Sequence, residues 1–268
     1  MTNIDYKNDF FGARLLIDKN KFSNKYERVY SKSNENVKGI LDNFDIEGKE
    51  VLTVLGSGDQ ALNFLNRKAK SVDTFDVNKL TIYYYYLRIW SIRYFDCFYP
   101  EIPLCDVLKK VSPKSEDEEK AYSFWINYYN IYENEMNFLQ NDNTPSGAII
   151  DSLKYLNKRL KKEKVTFYNI DIASENINLN KKYDIIYTSN IARWLLGTIN
   201  LVPICNYREN LNRLIKDDGK IICSNILRII NEDHIEVEQM SKRFNFHQLG
   251  RTEERGWAKV PGYYYTKK

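Results

Sequence analysis

Gly56 and Gly58, with an acid at Asp76, are the residues of this chain whose types and spacing suit the grip of a nucleoside. Two glycines around Ser57 let a backbone turn approach a ligand closely. The carboxylate, 20 residues after Gly56, falls where an acid can accept both hydroxyls of a ribose. The full Gly-x-Gly-x-x-Gly fingerprint is not met, because Ala61 occupies its third glycine position, where alanine is tolerated. Asp59, at the start of the expected helix, would repel a pyrophosphate that needs the bare helix N-terminus. A ligand without phosphate that carries an ammonium or a sulfonium suits this turn better, and S-adenosylmethionine carries both.

The elements that must position these residues follow from the hydrophobic pattern. Val51 to Leu55 is apolar apart from Thr53, as expected of a parallel strand covered on both faces. Ala61, Leu62, Phe64 and Leu65 give the next helix its apolar stripe, and Val72 to Phe75 forms a second strand with Asp76 at its tip. An aromatic helix, Leu80 to Phe95, carries four consecutive tyrosines, Tyr83 to Tyr86. Four in a row cannot share one side, so part of this helix must meet solvent, a second layer or a ligand.

Between about 98 and 160 the strand-helix rhythm breaks into a helical insertion. Ser112 to Glu119 reads as a loop and N-cap, a long helix follows with Phe124, Trp125 and Tyr128 on helical spacing, and Ile149 to Leu160 forms another helix. Insertions of this kind cover an active site or shape its pocket. Strands resume at Val165 to Ile170 and Tyr183 to Tyr187. A helix over Asn206 to Ile215 is stopped by Asp218-Gly219, and Lys220 to Asn225 is the next strand. Phe244 to Tyr265 reads as an antiparallel pair turned near Glu253 to Gly256 and around Pro261-Gly262. The expected fold is α/β, a doubly wound, Rossmann-like, mostly parallel sheet with an antiparallel C-terminal edge and the helical insertion. Residues 1–36 form an N-terminal aromatic extension, and residues 37–268 the nucleoside-binding domain.

In such a sheet ligands bind beyond the carboxyl ends of the strands. Gly56, Ser57 and Gly58 are therefore expected to hold the amino-acid part of the cofactor, and Asp76, with Val77 and Asn78, the ribose. Asp171 and Ile172 would meet the adenine, unless Asp171 is only a helix N-cap. Ser189 and Asn190 would floor the reacting centre, Asn190 having the alternative role of a turn residue. Arg193 offers a planar fork for a substrate carboxylate or phosphate, with a surface ion pair as its plainer role. Tyr187, Asn190 and Arg193 are the expected catalytic residues. Tyr187, Asp171 and Glu27 are the candidates for drawing a proton from an acceptor.

The chain resembles the S-adenosylmethionine:diacylglycerol 3-amino-3-carboxypropyltransferase family, the bacterial betaine-lipid enzymes, within the class I methyltransferase fold. Four segments carry the resemblance in order: Tyr26-Glu27-Arg28-Val29-Tyr30, VLTVLGSGDQALNFL from Val51, VDTFDVNKLTIYYYYLRIWSI from Val72, and YDIIYTSNIARWL from Tyr183. It implies S-adenosylmethionine as cofactor and its 3-amino-3-carboxypropyl group as the group moved, to a lipid or small-molecule acceptor that stays open. A methyltransferase is the alternative enzyme, since these motifs would look the same. A nucleoside-sensing or scaffold protein on the same fold is the non-enzyme alternative.

Composition sets the outer limits. The 268 residues are 43% hydrophobic and 28% charged, ordinary for a globular protein. No apolar run reaches bilayer length, and the N-terminus has acids where a signal peptide is basic, so a cytoplasmic location is expected. The net charge of +4 is dispersed and does not point to nucleic acid. The one basic cluster, Lys158 to Lys164, closes a helix, where positive charge suits the dipole. Four cysteines and two histidines without metal-type spacing argue against a metal site and for cysteines as small buried apolar residues. Oligomeric state is not legible.

Overall fold

The computed structural model describes residues 5–18, 29–31, 33, 35–136, 139–140, 152–162, 165–196, 201–224, 238–249 and 262–268. Its centre is β2 (Glu50–Val54), whose side chains alternate between two cores. Val51 joins one hydrophobic cluster and Leu52 the other, because successive strand residues point to opposite faces. The same alternation splits Ile185 from Ile186 and Ile222 from Ile221. A sheet buried on both faces is the result, which explains the unbroken apolar runs of the sequence.

β2 pairs in parallel with β3 (Ser71–Asp76) on one side and β6 (Tyr183–Ser189) on the other. With β5 (Thr166–Asn169), β7 (Ile215–Ser224), β8 (Phe244–Gln248) and β9 (Gly262–Lys267), the order is β5-β3-β2-β6-β7-β9-β8. The strand order reverses between β2 and β6, and the crevice of such a sheet opens there. The expected doubly wound, mostly parallel sheet is thus present. The expected antiparallel C-terminal edge is present as well: β9 runs against both β7 and β8, which leaves β8 at the rim parallel to the rest. Tyr263 and Tyr265 of β9 are both buried in the same hydrophobic cluster on one face of the sheet.

α3 (Asp59–Asn66), α4 (Leu80–Phe95) and α7 (Leu153–Leu160) cover one face of the sheet, and α9 (Val202–Leu214) the other. The consecutive tyrosines of α4 are accommodated by a second layer made of the insertion, α5 (Leu104–Lys110) and α6 (Glu116–Tyr132). Tyr83 stacks on Phe124 at 4.0 Å between ring centroids, and Trp125 donates its indole N–H to the Tyr83 carbonyl at 2.9 Å. α1 (Tyr6–Asp18) seats on the same layer: Phe10 meets Phe124 edge-on, and Asp9 accepts from the Tyr83 hydroxyl at 2.7 Å. A short parallel pair, β1 (Val29–Tyr30) with β4 (Leu139–Gln140), ties the N-terminal segment to the insertion.

Some boundaries move. α7 has Ser152 as its N-cap, whose hydroxyl accepts from the Tyr155 N–H, and the expected start at Ile149 lies outside the described residues. α9 starts at Val202 beside Pro203 and ends at Leu214, and β7 follows at once. Asp218-Gly219 is therefore no helix stop. It belongs to a bulge in β7, where Tyr183 pairs with Ile215 but Ile185 pairs with Lys220. The expected turn near Glu253 to Gly256 lies outside the described residues, as does Pro261, and Gly262, expected in a second turn, opens β9. Of the cysteines only Cys223 is buried. Among the described residues no helix is long and apolar enough to cross a membrane.

Candidate functional site

The turn after β2 requires its glycines. Gly56 has φ +51 and Gly58, which caps α3, has φ +86, a region costly for residues with a Cβ. A Cβ on Gly58 would also stand 2.7 Å from Cδ2 of Tyr85. The tip of β3 is bound to this turn: the Gly56 N–H donates to Oδ2 of Asp76 at 2.9 Å, and the Asn78 N–H donates to Oδ1 at 2.9 Å. The carboxylate keeps acceptor capacity for a ligand hydroxyl. Burial lifts the Asp76 pKa to about 6 against the lowering effect of the backbone N–H groups of Asn78, Gly56 and Val77.

A cavity of about 500 Å³ opens at the strand switch point, and Gly56, Ser57, Asp76, Val77, Asn78, Asp171, Ile172, Ser189 and Asn190 all line it. The structure thus brings most of the sequence-predicted residues together. Gly58 lies behind the wall, against Tyr85. Oδ1 of Asp171 accepts from the Ala173 N–H at 2.8 Å, so that oxygen closes a turn while the residue also faces the cavity.

Two residues take roles other than those expected. Asp59 does not offer its charge to a ligand. It is fully buried and paired with Nη2 of Arg88 at 2.6 Å, and its Oδ2 accepts from the Ser57 hydroxyl at 2.8 Å and the Ser33 N–H at 2.5 Å. Arg88 also donates to the Ser57 carbonyl at 3.0 Å. This ion pair braces the glycine turn from behind, and its neutrality removes the repulsion inferred for a pyrophosphate. Tyr187 is wholly buried and absent from the cavity wall. Its hydroxyl donates to Oε2 of Glu35 at 2.8 Å, and burial, together with the Glu35 charge, drives its pKa well above the phenol range. Such a hydroxyl stays protonated near neutral pH, and Tyr187 sits behind the cavity wall and not in it. The side chain of Arg193 and the whole of Glu27 lie outside the described residues; Arg193 contributes its backbone to α8 (Ile191–Leu196).

The sequence reading missed Tyr30, Ser33, Gln60 and Thr81, and the apolar Phe75 and Ile170, all of which line the cavity. A signal existed in the alternation Ser31, Ser33, Glu35, three polar residues that the fold buries; without tertiary context it reads as an ordinary polar loop. Gln60 is 4% exposed, its Nε2 donates to Ser33 Oγ at a long 3.4 Å, and its Oε1 has no hydrogen-bond partner among the described residues. A buried amide oxygen left without a donor is costly. A ligand ammonium would satisfy it.

S-adenosylmethionine fits these residues. The bare Gly56, the ribose-directed Asp76, the apolar Phe75, Ile170 and Ile172, and the unsatisfied Gln60 match a nucleoside joined to a charged amino acid. Among the described residues no group of three or more His, Cys, Asp or Glu could hold a metal ion.

No family model matches the chain, and no curated protein matches it. It is similar to solved structures of methyltransferases. The ribosomal protein L11 methylase of Lactobacillus delbrueckii subsp. bulgaricus is 13% identical, over 87% of this chain and 77% of the other, with a TM-score of 0.44. The glycopeptide N-methyltransferase MtfA is 8% identical, over 90% and 93%, with a TM-score of 0.48. The magnesium protoporphyrin IX methyltransferase ChlM of Synechocystis PCC 6803, solved with bound S-adenosylmethionine, is 12% identical, over 100% and 86%, with a TM-score of 0.42.

Proposed function

We propose that this chain is an S-adenosylmethionine-dependent transferase and that the group it moves is methyl. The observation that carries the reading is the joining of the Gly56 turn to the Asp76 carboxylate at the rim of one cavity, with the partnerless Gln60 oxygen beside the same turn. When bound, the cofactor supplies an electrophilic carbon beside a sulfonium. Asp76 accepts the ribose hydroxyls, Phe75, Ile170 and Ile172 flank the base, and Asp171 accepts from the adenine amino group. Ser33 and Gln60 hold the amino-acid end. This polar grip falls on the aminocarboxypropyl arm and leaves the methyl free to face an acceptor. Asn190 orients the acceptor, and the chain contributes chiefly alignment and exclusion of water.

The four-segment resemblance to the betaine-lipid enzymes favours the second reading, transfer of the aminocarboxypropyl arm. Incubation of the protein with S-adenosylmethionine and a cell extract, followed by mass analysis of the released nucleoside, separates the two. S-adenosylhomocysteine is expected; methylthioadenosine would establish the second reading, and release of neither above an extract blank would overturn both.

A further inference from the structure

Glu35 is 1% exposed and comes from the segment before α2 (Val37–Leu41), far in sequence from the strand it meets. Its Oε2 accepts from Tyr187 and its Oε1 from the Ser189 hydroxyl, both on β6. Ser189 has φ +56, a left-handed backbone that a residue with a Cβ adopts only at a cost. It also marks a register shift: Tyr187 pairs with Ile222 and Ser189 with Cys223, two residues of β6 against one of β7. Ser189 and the following Asn190 both line the cavity, whereas Glu35 does not. A strained turn at the wall of a ligand site is thus fastened through one hydroxyl to a buried carboxylate.

We propose that Glu35 is a positioning residue: by accepting from Ser189 Oγ it holds that residue in its left-handed conformation and so fixes the cavity wall at Ser189 and Asn190. The inference rests on the reading of the cavity as the cofactor site. Loss of Glu35 lets Ser189 relax to an ordinary backbone, and the wall must be rebuilt on binding, a penalty of about tenfold in affinity. Glycine at 189 needs no such hold, since φ +56 is open to it. Replacing Ser189 alone leaves a buried carboxylate oxygen without its donor. The two residues are therefore coupled, and the double variant should escape both penalties.

The test titrates S-adenosylhomocysteine into the full chain carrying no change, Glu35→Ala, Glu35→Gln, Ser189→Gly, or Glu35→Ala with Ser189→Gly. In parallel, amide hydrogen exchange over 187–191 is followed without ligand. Glu35→Ala should weaken binding about tenfold and speed exchange across the turn. Adding Ser189→Gly should restore affinity to within about threefold of the unchanged chain and slow the exchange again. Glu35→Gln, which keeps an acceptor oxygen, should fall between, and it carries the test if Glu35→Ala fails to fold. A double variant no tighter than Glu35→Ala, or a Glu35→Ala variant that binds and exchanges like the unchanged chain, overturns the proposal. If the unchanged chain binds no S-adenosylhomocysteine the cofactor reading falls, and the exchange arm still decides whether Glu35 holds the turn.

Discussion

Replacing Arg88 with methionine should destabilise the protein more than almost any other single change near the site. Methionine preserves the helical stem of the side chain but removes the guanidinium from Asp59, with which it pairs at 2.6 Å, and from the Ser57 carbonyl at 3.0 Å. Both charged partners are almost completely buried, Asp59 at 0% and Arg88 at 2% exposure. Water cannot replace the lost partner, and an uncompensated buried carboxylate costs about 3–5 kcal/mol. Against a typical total of about 5–15 kcal/mol, that is a large fraction. In urea, with a slope of about 2–3 kcal/mol per molar, the midpoint should fall by about 1–2 M at unchanged slope. The double variant Asp59→Asn with Arg88→Met should regain more than half of the loss, because the amide oxygen still accepts from Ser33 and Ser57 while the buried charge is gone. A loss under about 1 kcal/mol in the single variant, or a double variant less stable than the single, would refute the view of this pair as the brace of the glycine turn.

Further expectations concern the turn, its carboxylate and the amide beside it. Gly58→Ala combines a φ of +86 with a contact of 2.7 Å to Tyr85, so it should lower stability by about 2–4 kcal/mol and abolish detectable ligand binding in a calorimetric titration. Asp76, with a pKa of about 6, must be ionised to accept the ribose hydroxyls, so the affinity for S-adenosylhomocysteine should fall about tenfold per pH unit below that value. The ligand-free protein should show the opposite sign: burial disfavours the charged carboxylate, so this group's contribution to stability is fully present below the ordinary carboxylate range and is lost as pH rises through about 6. Asp76→Asn should flatten both profiles. Gln60→Met should weaken S-adenosylhomocysteine about tenfold or more yet leave 5′-methylthioadenosine, which lacks the amino acid, unchanged; equal losses for both ligands would make Gln60 a structural residue only.

Much of the fold was legible because its signals are local. Val51 to Leu55 reads as a doubly covered strand, and the Gly56, Gly58 and Asp76 spacing marks the turn and the acid that the structure joins by a hydrogen bond. What failed to read was tertiary. Nothing in the order of residues tells that Arg88, on the next helix, reaches back to neutralise Asp59. Nor does it tell that Tyr187 faces Glu35 in the interior while its neighbour in register, Ser189, reaches the cavity. Alternation places a strand residue on a face but does not say what covers that face. The Asp218-Gly219 pair misled for a similar reason: turn residues stop a helix or fill a bulge equally well, and only the pairing of Ile215 with Tyr183 decides.

The most direct test of the central claim is calorimetric titration of the full chain with S-adenosylhomocysteine at pH 7.5, beside the Asp76→Ala variant. The account predicts one site per chain with a micromolar dissociation constant, about −8 kcal/mol, and a loss of at least tenfold in the variant. No heat and no rise in thermal midpoint at millimolar ligand, or equal binding by both proteins, would contradict it.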